Sequence, residues 1–387
     1  MAAPDATGPA PLTASERLSR LRLIRSRNIG PATFWALLDH CGSAEDALEA
    51  LPELARRGGH LYRAQLCPVA DAEAEMAAAT RNGATLATCG EPGYPPWLAA
   101  VDAPPPLIYV KGVAEIVEKP IVAIVGSRNG SAIGRKLTRQ LALDLGAEGF
   151  VIASGLARGI DTAAHRAALD TGTIAVLAGG IDNIYPPENA DLHAAIGERG
   201  LLVSERPPGF RPRGQDFPRR NRLISGMAAA VIVVEAAQRS GSLITARFAG
   251  EQGREVFAVP GNPLDPRAAG TNRLLRDGAG LATSAEDVVS ALAPILGRRP
   301  EAPPAPDTGM DDLFGAAEPP EPGEPGESDR DRVVACLSVA PVDIDEVVRS
   351  SGLAVRHVHA ILLELELAGR IERHGRQLVS LRAGEKA

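Results

Sequence analysis

From Leu107 to about Leu296, short apolar runs alternate with helix-like segments, and this alternation restricts the fold more than any other feature of the 387-residue chain. The runs are Ile121 to Val125, Phe150 to Ala153, Ile174 to Ala178, Leu201 to Val203, Ala230 to Val234 and Val256 to Val259. Each is apolar at nearly every position, which predicts strands covered on both faces. Such strands with helices between them predict an α/β domain over 107–297, built on a doubly wound, mostly parallel sheet. Sheets of this kind bind ligands in the loops at the carboxyl ends of their strands. Function is expected in those loops.

The flanks read differently. Residues 1–100 are expected to form a helical domain, because Ala and Leu are frequent from residue 12 onward. Asn28-Ile29-Gly30-Pro31 separates two amphipathic stretches with Phe34, Leu37, Leu38 and Leu48 at helical spacings. This is the pattern of a helix-hairpin-helix or SAM-like module, serving either DNA binding or packing alone. Residues 298–330 are acidic and Pro-rich, and are expected to form a disordered, self-repelling linker. Its one apolar island, Met310-Asp311-Asp312-Leu313-Phe314, suits docking on a partner. Residues 331–387 predict two helices, a turn at Ser351-Gly352, a longer helix from Ala354 to Ala368 and a hairpin over Arg370 to Leu381 tipped by His374-Gly375-Arg376. That order describes a winged helix-turn-helix. Val358, Ile361, Leu362 and Leu365 form its buried stripe, leaving Arg356, His357 and His359 toward solvent for either a protein or a DNA partner.

The net charge of −7, from 41 Lys and Arg against 48 Asp and Glu, argues on average against nucleic acid. Pro300 to Asp331, however, holds ten acidic residues and one arginine, so the rest of the chain stands at +2 and local charge decides. No run approaches the roughly 20 apolar residues of a bilayer span, so no membrane span is expected. Met1 to Ser15 lacks the features of a secretory signal, which makes the cytoplasm the expected location. Cys41, Cys67, Cys89 and Cys336 are scattered, and His357 and His359 sit two apart, on different faces of a helix. No metal site and no cofactor are expected.

The loops of the predicted sheet carry the chemistry. The first strand runs into Gly126-Ser127-Arg128-Asn129-Gly130-Ser131-Ala132-Ile133-Gly134 and a helix, a phosphate cradle of small residues and free N–H groups. It is not a Walker loop, since Gly134 is followed by Arg135 and Lys136, and Arg128 stands where a dinucleotide fingerprint has its second glycine. An arginine there grips a single phosphate. The second strand ends in Ser154-Gly155-Leu156-Ala157-Arg158-Gly159-Ile160-Asp161. Asp161 either caps the helix or orients Arg158, or else acts as a general base near His165. Between Arg206 and Ile224 lie Arg206, Arg211, Arg213, Arg219, Arg220 and Arg222 against Asp216 alone, the strongest basic patch of the chain. Phe217 and Asn221 within it supply a ring for stacking and an amide for base edges. Ser240-Gly241-Ser242 and Thr245 open a further helix. With 13 aromatics in total, gripping by Arg and backbone N–H is expected to outweigh stacking.

These residues, in order, resemble the DNA-processing protein A family (DprA, also called Smf). The resemblance rests on Gly126-Ser127-Arg128, Ser154-Gly155-x-Ala157-x-Gly159-Ile160-Asp161, Gly179-Gly180-Ile181-Asp182-Asn183-Ile184-Tyr185-Pro186 and Phe217-Pro218-x-Arg220-Asn221-Arg222-Leu223-Ile224-Ser225-Gly226. Ser240-Gly241-Ser242-Leu243-x-Thr245-Ala246 and Pro260-Gly261 complete it. It implies an extended Rossmann-like domain with a SAM-like front and a winged-helix tail. It also implies a cytoplasmic homodimer, joined through the sheet domain, that binds incoming single-stranded DNA in natural transformation, protects it and loads the RecA recombinase without catalytic turnover. DNA contacts carry over to Arg128, Phe217, Arg220 and Asn221, and Arg219 falls where Lys or Arg is typical. The long acidic linker is where this chain departs from the family.

Two other readings stay open on the residues alone. A nucleotide-processing enzyme of the ribotide hydrolase type would use Asp161 and Glu235, and a winged-helix transcription regulator would use Arg356, His357 and His359. For self-association, Leu274-Leu275 is the candidate contact.

Overall fold

The computed structural model describes residues 12–59, 65–296, 325–374 and 377–382, which fall into two compact units. One holds residues 74–101 and 107–296, the other residues 12–73, 102–106 and 325–382 of the described chain. The Met310 to Phe314 island and most of the linker expectation lie outside the described residues, as do Gly375 and Arg376 of the predicted hairpin tip.

In the first unit, a nine-stranded sheet is formed by β1 (Thr85–Thr88), β2 (Leu107–Gly112), β3 (Ile121–Gly126), β4 (Val151–Ser154), β5 (Thr173–Leu177), β6 (Leu201–Ser204), β7 (Ala230–Val234), β8 (Glu255–Ala258) and β9 (Gly280–Leu281). The spatial order is β1-β2-β6-β5-β4-β3-β7-β8-β9. All neighbours from β6 to β9 pair in parallel, and β2 runs antiparallel to both β1 and β6. The six predicted runs are strands, as expected. Thr85–Thr88 was expected within the helical front. It is instead an edge strand, because so short a segment takes its conformation from pairing with β2 rather than from its own pattern.

Both faces of the sheet are covered. Ile121, Ala123 and Val125 of β3 point into one apolar layer, closed by Leu223 and Ile224 of the Asp216–Gly226 helix, by Met227 just after it, and by Ala246 and Ala249 of the Gly241–Glu251 helix. Val122 and Ile124 point into the other, against Leu141 and Leu145 of the Ala132–Ala147 helix and Ile160 and Ala164 of the Ile160–Ala167 helix. The period of two along the strand thus serves two cores. The chain winds one way from β3 through β4 and β5 to β6, then returns to place β7 on the other side of β3. This reversal is a topological switch point, and the loops leaving β3 and β7 flank it.

The second unit joins the two ends of the chain. Helices Ala14–Arg25, Pro31–Cys41 and Ala44–Gly58 enclose Leu23, Phe34, Leu37, Leu48 and Leu51. The first is fixed by a capping box between Thr13 and Glu16, and Pro31 starts the second. The winged helix consists of helices Glu327–Ala335, Ile344–Ser351 and Val355–Leu367 with strands β10 (Val342–Asp343), β11 (Ile371–His374) and β12 (Leu378–Leu381). Its first helix starts at Glu327, inside the span expected as linker, because Asp329 accepts the Gly326 N–H at 3.0 Å and acids favour a helix N-terminus. Val358, Ile361, Leu362 and Leu365 are buried, as the pattern predicts. Leu363 and Leu367 of the same helix enter the core of the N-terminal helices. There Thr33 donates to Glu366 at 2.8 Å and Asn28 donates to the Leu367 carbonyl at 3.2 Å.

Candidate nucleic-acid interface

Glycines set the backbone at the switch point. A Cβ on Gly126 would stand 1.9 Å from the Val234 carbonyl oxygen, so only glycine lets β3 leave the sheet so close to β7. Gly159 has φ +81°, and a Cβ there would lie 2.4 Å from the Ser127 carbonyl oxygen and 2.6 Å from that of Arg128. Ile160 N–H donates to Ser127 O at 3.2 Å. The β4 loop therefore locks the β3 loop and presents Arg128 outward.

Arg128 lies over the Phe217 ring at 5.3 Å, and the Tyr185 ring stands 5.3 Å from that of Phe217. These three side chains line a pocket of about 170 Å³ with Arg158, Glu188 and Arg220. Arg158 is turned to Glu188 at 3.7 Å. A larger groove of about 800 Å³ continues from Arg128, Phe217 and Arg220 past Asn221 to Arg239, Ser240, Gly241, Ser242 and Thr245. Asn221 donates to the Gly241 carbonyl at 3.1 Å, tying the two walls together.

Arg220 forms the floor and is 7% exposed. Its Nη1 donates to the carbonyl oxygens of Gly155, at 2.7 Å, and Val176. Burial pulls its pKa down to about 10, opposed by the nearby Asp161 carboxylate. It remains a cation at neutral pH. Asp161 accepts the N–H groups of Gly155 at 3.2 Å and Ala157 at 3.3 Å, and burial raises its pKa against the pull of Arg220. His165 is fully buried, and its Nε2 accepts from Leu156 N–H at 3.3 Å while Nδ1 stands 2.7 Å from Thr173 Oγ1. Thr173 donates onward to Ile152 O, so Nδ1 carries the proton and the imidazole is neutral, with burial pushing its pKa down to about 3. Both side chains face the backbone that shapes the site.

The cradle expected at 126–134 is filled by the protein itself. Ser131 caps the Ala132–Ala147 helix by accepting Gly134 N–H at 2.9 Å, and its own N–H and hydroxyl both donate to Glu235. The Glu235 carboxylate thus sits at the positive end of the helix, where a mononucleotide phosphate would bind. At the Gly241–Glu251 helix the cap is the Ser240 hydroxyl, which accepts Ser242 N–H at 3.4 Å, and that start opens on the groove.

The other expected residues divide. Ser154 is fully buried and donates to Ile124 O at 2.6 Å, so it holds β4 to β3. Ser127 accepts Asn129 N–H at 3.1 Å and shapes the Arg128 turn. Arg219 lines a neighbouring groove of about 630 Å³ with Arg206, Phe210, Arg211 and Arg213. Arg222 is half-buried and paired with Glu205, away from the groove of Arg220. Successive helical positions turn by about 100°, so Arg219, Arg220 and Arg222 of one run reach three environments. Tyr185 and Arg239 line the site without having been expected there. An aromatic in the Pro-rich loop after β5 and an arginine beside Ser-Gly-Ser were the available signals. Among the described residues, no cluster of His, Cys, Asp or Glu is suited to a metal ion, and no helix is long and apolar enough to cross a membrane.

Comparison with known proteins gives three consecutive matches. Residues 85–293 match the family described as DNA recombination-mediator protein A, residues 14–78 the DprA-like N-terminal HHH domain, and residues 317–375 the DprA winged helix domain. Protein Smf of Synechocystis is 36% identical over 308 residues, covering 73% of this chain and 77% of that protein. The X-ray structure of DNA processing protein A from Streptococcus pneumoniae superposes with a TM-score of 0.61 at 35% identity, over 72% of this chain and 98% of that one. DNA processing protein A from Helicobacter pylori, solved for its single-stranded DNA binding mode, gives 0.50 at 31% identity, over 54% of this chain and 96% of that one.

Proposed function

Because the chain belongs to the DNA recombination-mediator protein A family, we propose that it binds single-stranded DNA in the groove built on Arg128, Phe217 and Arg220. One observation carries this reading: a cation and two aromatic rings line a strand-end pocket with a buried arginine, while the neighbouring helix start, where a mononucleotide phosphate would bind, is filled by Glu235. The site therefore suits a polymer that crosses it, gripped at phosphates and stacked at a base, rather than a dinucleotide lying in it.

Arg128 is the outer phosphate grip, and Phe217 with Tyr185 offers the stacking surface. Asn221 and the Ser240 to Ser242 helix start supply polar contacts, and Arg219 extends positive charge into the adjoining groove. Arg220 keeps the floor positive while holding the Gly155 loop. Arg222 belongs to the fold rather than to the interface, since Glu205 neutralises it. The bound strand is protected and passed to a RecA-type recombinase, in the cytoplasm and without chemical turnover. The homodimer of this reading joins through the sheet domain, where the half-exposed Leu275 is the contact tested by sedimentation of Leu275→Arg.

The deciding experiment is fluorescence anisotropy with labelled oligo-dT and a matched duplex, at two salt concentrations, for wild type and Arg128→Ala. Tight, salt-dependent binding to the single strand, weakened in the variant, supports the reading. Preference for the duplex, or indifference to Arg128, overturns it.

A further inference from the structure

We propose that the bound single strand leaves the groove across Arg128 onto a second anion-binding channel between the Ala132–Ala147 and Ile160–Ala167 helices. This rests on the reading above and extends it to the opposite side of the sheet. The channel measures about 470 Å³ and is walled by Arg128, Arg135, Arg139 and Arg166 over a floor that includes Gly159 and Ala163. Arg128 lines this channel, the groove and the enclosed pocket alike, so the three spaces meet at one residue.

The charge of the channel is unopposed. Arg139 and Arg166 are exposed and have no carboxylate partner among the described residues, while Arg135 is fixed by donating to the Gly130 carbonyl. Elsewhere on this unit Arg199, Arg247, Arg267 and Arg273 each hold a carboxylate. Among the described residues no Asp or Glu lines the channel; Asp161, next to Thr162 in sequence, accepts the Gly155 and Ala157 N–H groups. Small residues in the floor leave the space open.

The spacing suits a strand. Arg135 and Arg139 are one helical turn apart, about 6 Å along the axis, comparable with the step between phosphates of an extended single strand. Arg166 faces them from the neighbouring helix. Asn129 and Thr162 also line the channel, the Thr162 hydroxyl donating to the Ala157 carbonyl at 2.8 Å, and a run of guanidinium groups on two helices grips the phosphodiester backbone of any sequence.

The test compares the full chain with Arg139→Ala/Arg166→Ala, using oligo-dT of about six and about twenty nucleotides, lengths that bracket one binding groove and its continuation. Both replaced side chains are exposed, and far-UV circular dichroism checks that the fold is retained. The short oligonucleotide is expected to bind both proteins alike. The long one is expected to bind the variant about tenfold more weakly, with its log–log salt slope reduced by about 1.4, roughly 0.7 for each lost phosphate contact. Equal binding of the long oligonucleotide by both proteins overturns the channel alone. Equal weakening at both lengths also overturns it, by placing these arginines in the primary site. Failure of wild type to bind either length overturns this inference together with the reading on which it rests.

Discussion

Arg220 donates from Nη1 to the carbonyl oxygen of Gly155 at 2.7 Å, and a Cβ built on Gly155 would stand 2.4 Å from that same nitrogen. The missing side chain at 155 is what lets a buried cation reach under the loop that shapes the pocket. Gly155→Ala must displace the guanidinium from two carbonyls, at a cost of about 1 to 3 kcal/mol for a buried charged donor. Thermal melting is expected to show that loss and anisotropy a weaker complex with oligo-dT. A variant matching wild type in both would mean that the guanidinium relocates freely.

Arg128 and Arg222 separate charge that acts on DNA from charge that holds the fold. Arg128→Ala is expected to lower the single-strand salt slope by about 0.7. Arg222→Ala breaks the pair with Glu205, costing about 1 kcal/mol of stability, and should leave the slope unchanged. Salt titrations of both variants decide; a reduced slope in Arg222→Ala would return that residue to the interface.

Phe217 carries Arg128 over its ring and has Tyr185 beside it, and it lines the groove. Phe217→Ala is expected to cost about 1 to 3 kcal/mol of binding free energy, while Phe217→Trp preserves most of it. If Phe217→Ala binds as tightly as wild type, the ring only packs.

His165 links stability to pH. Its imidazole is neutral in the folded chain, with a pKa near 3 set first by burial and then by Arg220, against 6.5 in the unfolded chain. As pH falls below 6.5, the unfolded state takes up a proton that the folded state refuses, so the stability present above pH 6.5 is lost progressively down to about pH 3. Between pH 6.5 and 5 this amounts to about 2 kcal/mol. Denaturant unfolding followed by Trp97 in a Trp35→Phe background should show the loss, and His165→Gln should flatten it. An unflattened slope would assign the acid sensitivity to other groups.

Gly58 lies against the winged helix. A Cβ there would meet the Glu364 carbonyl oxygen at 1.9 Å and the Ala368 side chain at 2.9 Å. Because the first obstacle is backbone, Gly58→Ala is expected to part the Ala44–Gly58 helix from the Val355–Leu367 helix. Hydrogen exchange over 355–367 should quicken in the variant; unchanged protection would show that the helices shift together without separating.

The sheet and its loops were legible because their signals are local. A buried strand shows as an apolar run, and a strand-to-helix turn shows as Gly, Ser and Arg in a fixed order. Arg128, Phe217, Arg220 and Asn221 were singled out from those loops and from the family resemblance, and they line one groove. Thr85–Thr88, inside a front expected to be mostly helical, was not singled out as a strand because it gains its conformation from β2. The phosphate cradle at 126–134 was misread because its occupant, Glu235, lies 104 residues from Ser131.

Sequence by itself determined the strands, the switch-point loops and the family, since each depends on residues within a few positions of one another. Tertiary structure decided which arginine serves which surface. Helical rotation sends Arg219, Arg220 and Arg222 in three directions, and only the neighbours met there distinguish a phosphate grip from a paired charge. It also decided that β3 and β7 lie side by side, so that Glu235 closes one anion site while Arg128 stands at the junction of the pocket, the groove and the channel. The physical reason is common to both: charge and hydrogen bonding act over a few ångströms, and chain order does not say which residues come that close.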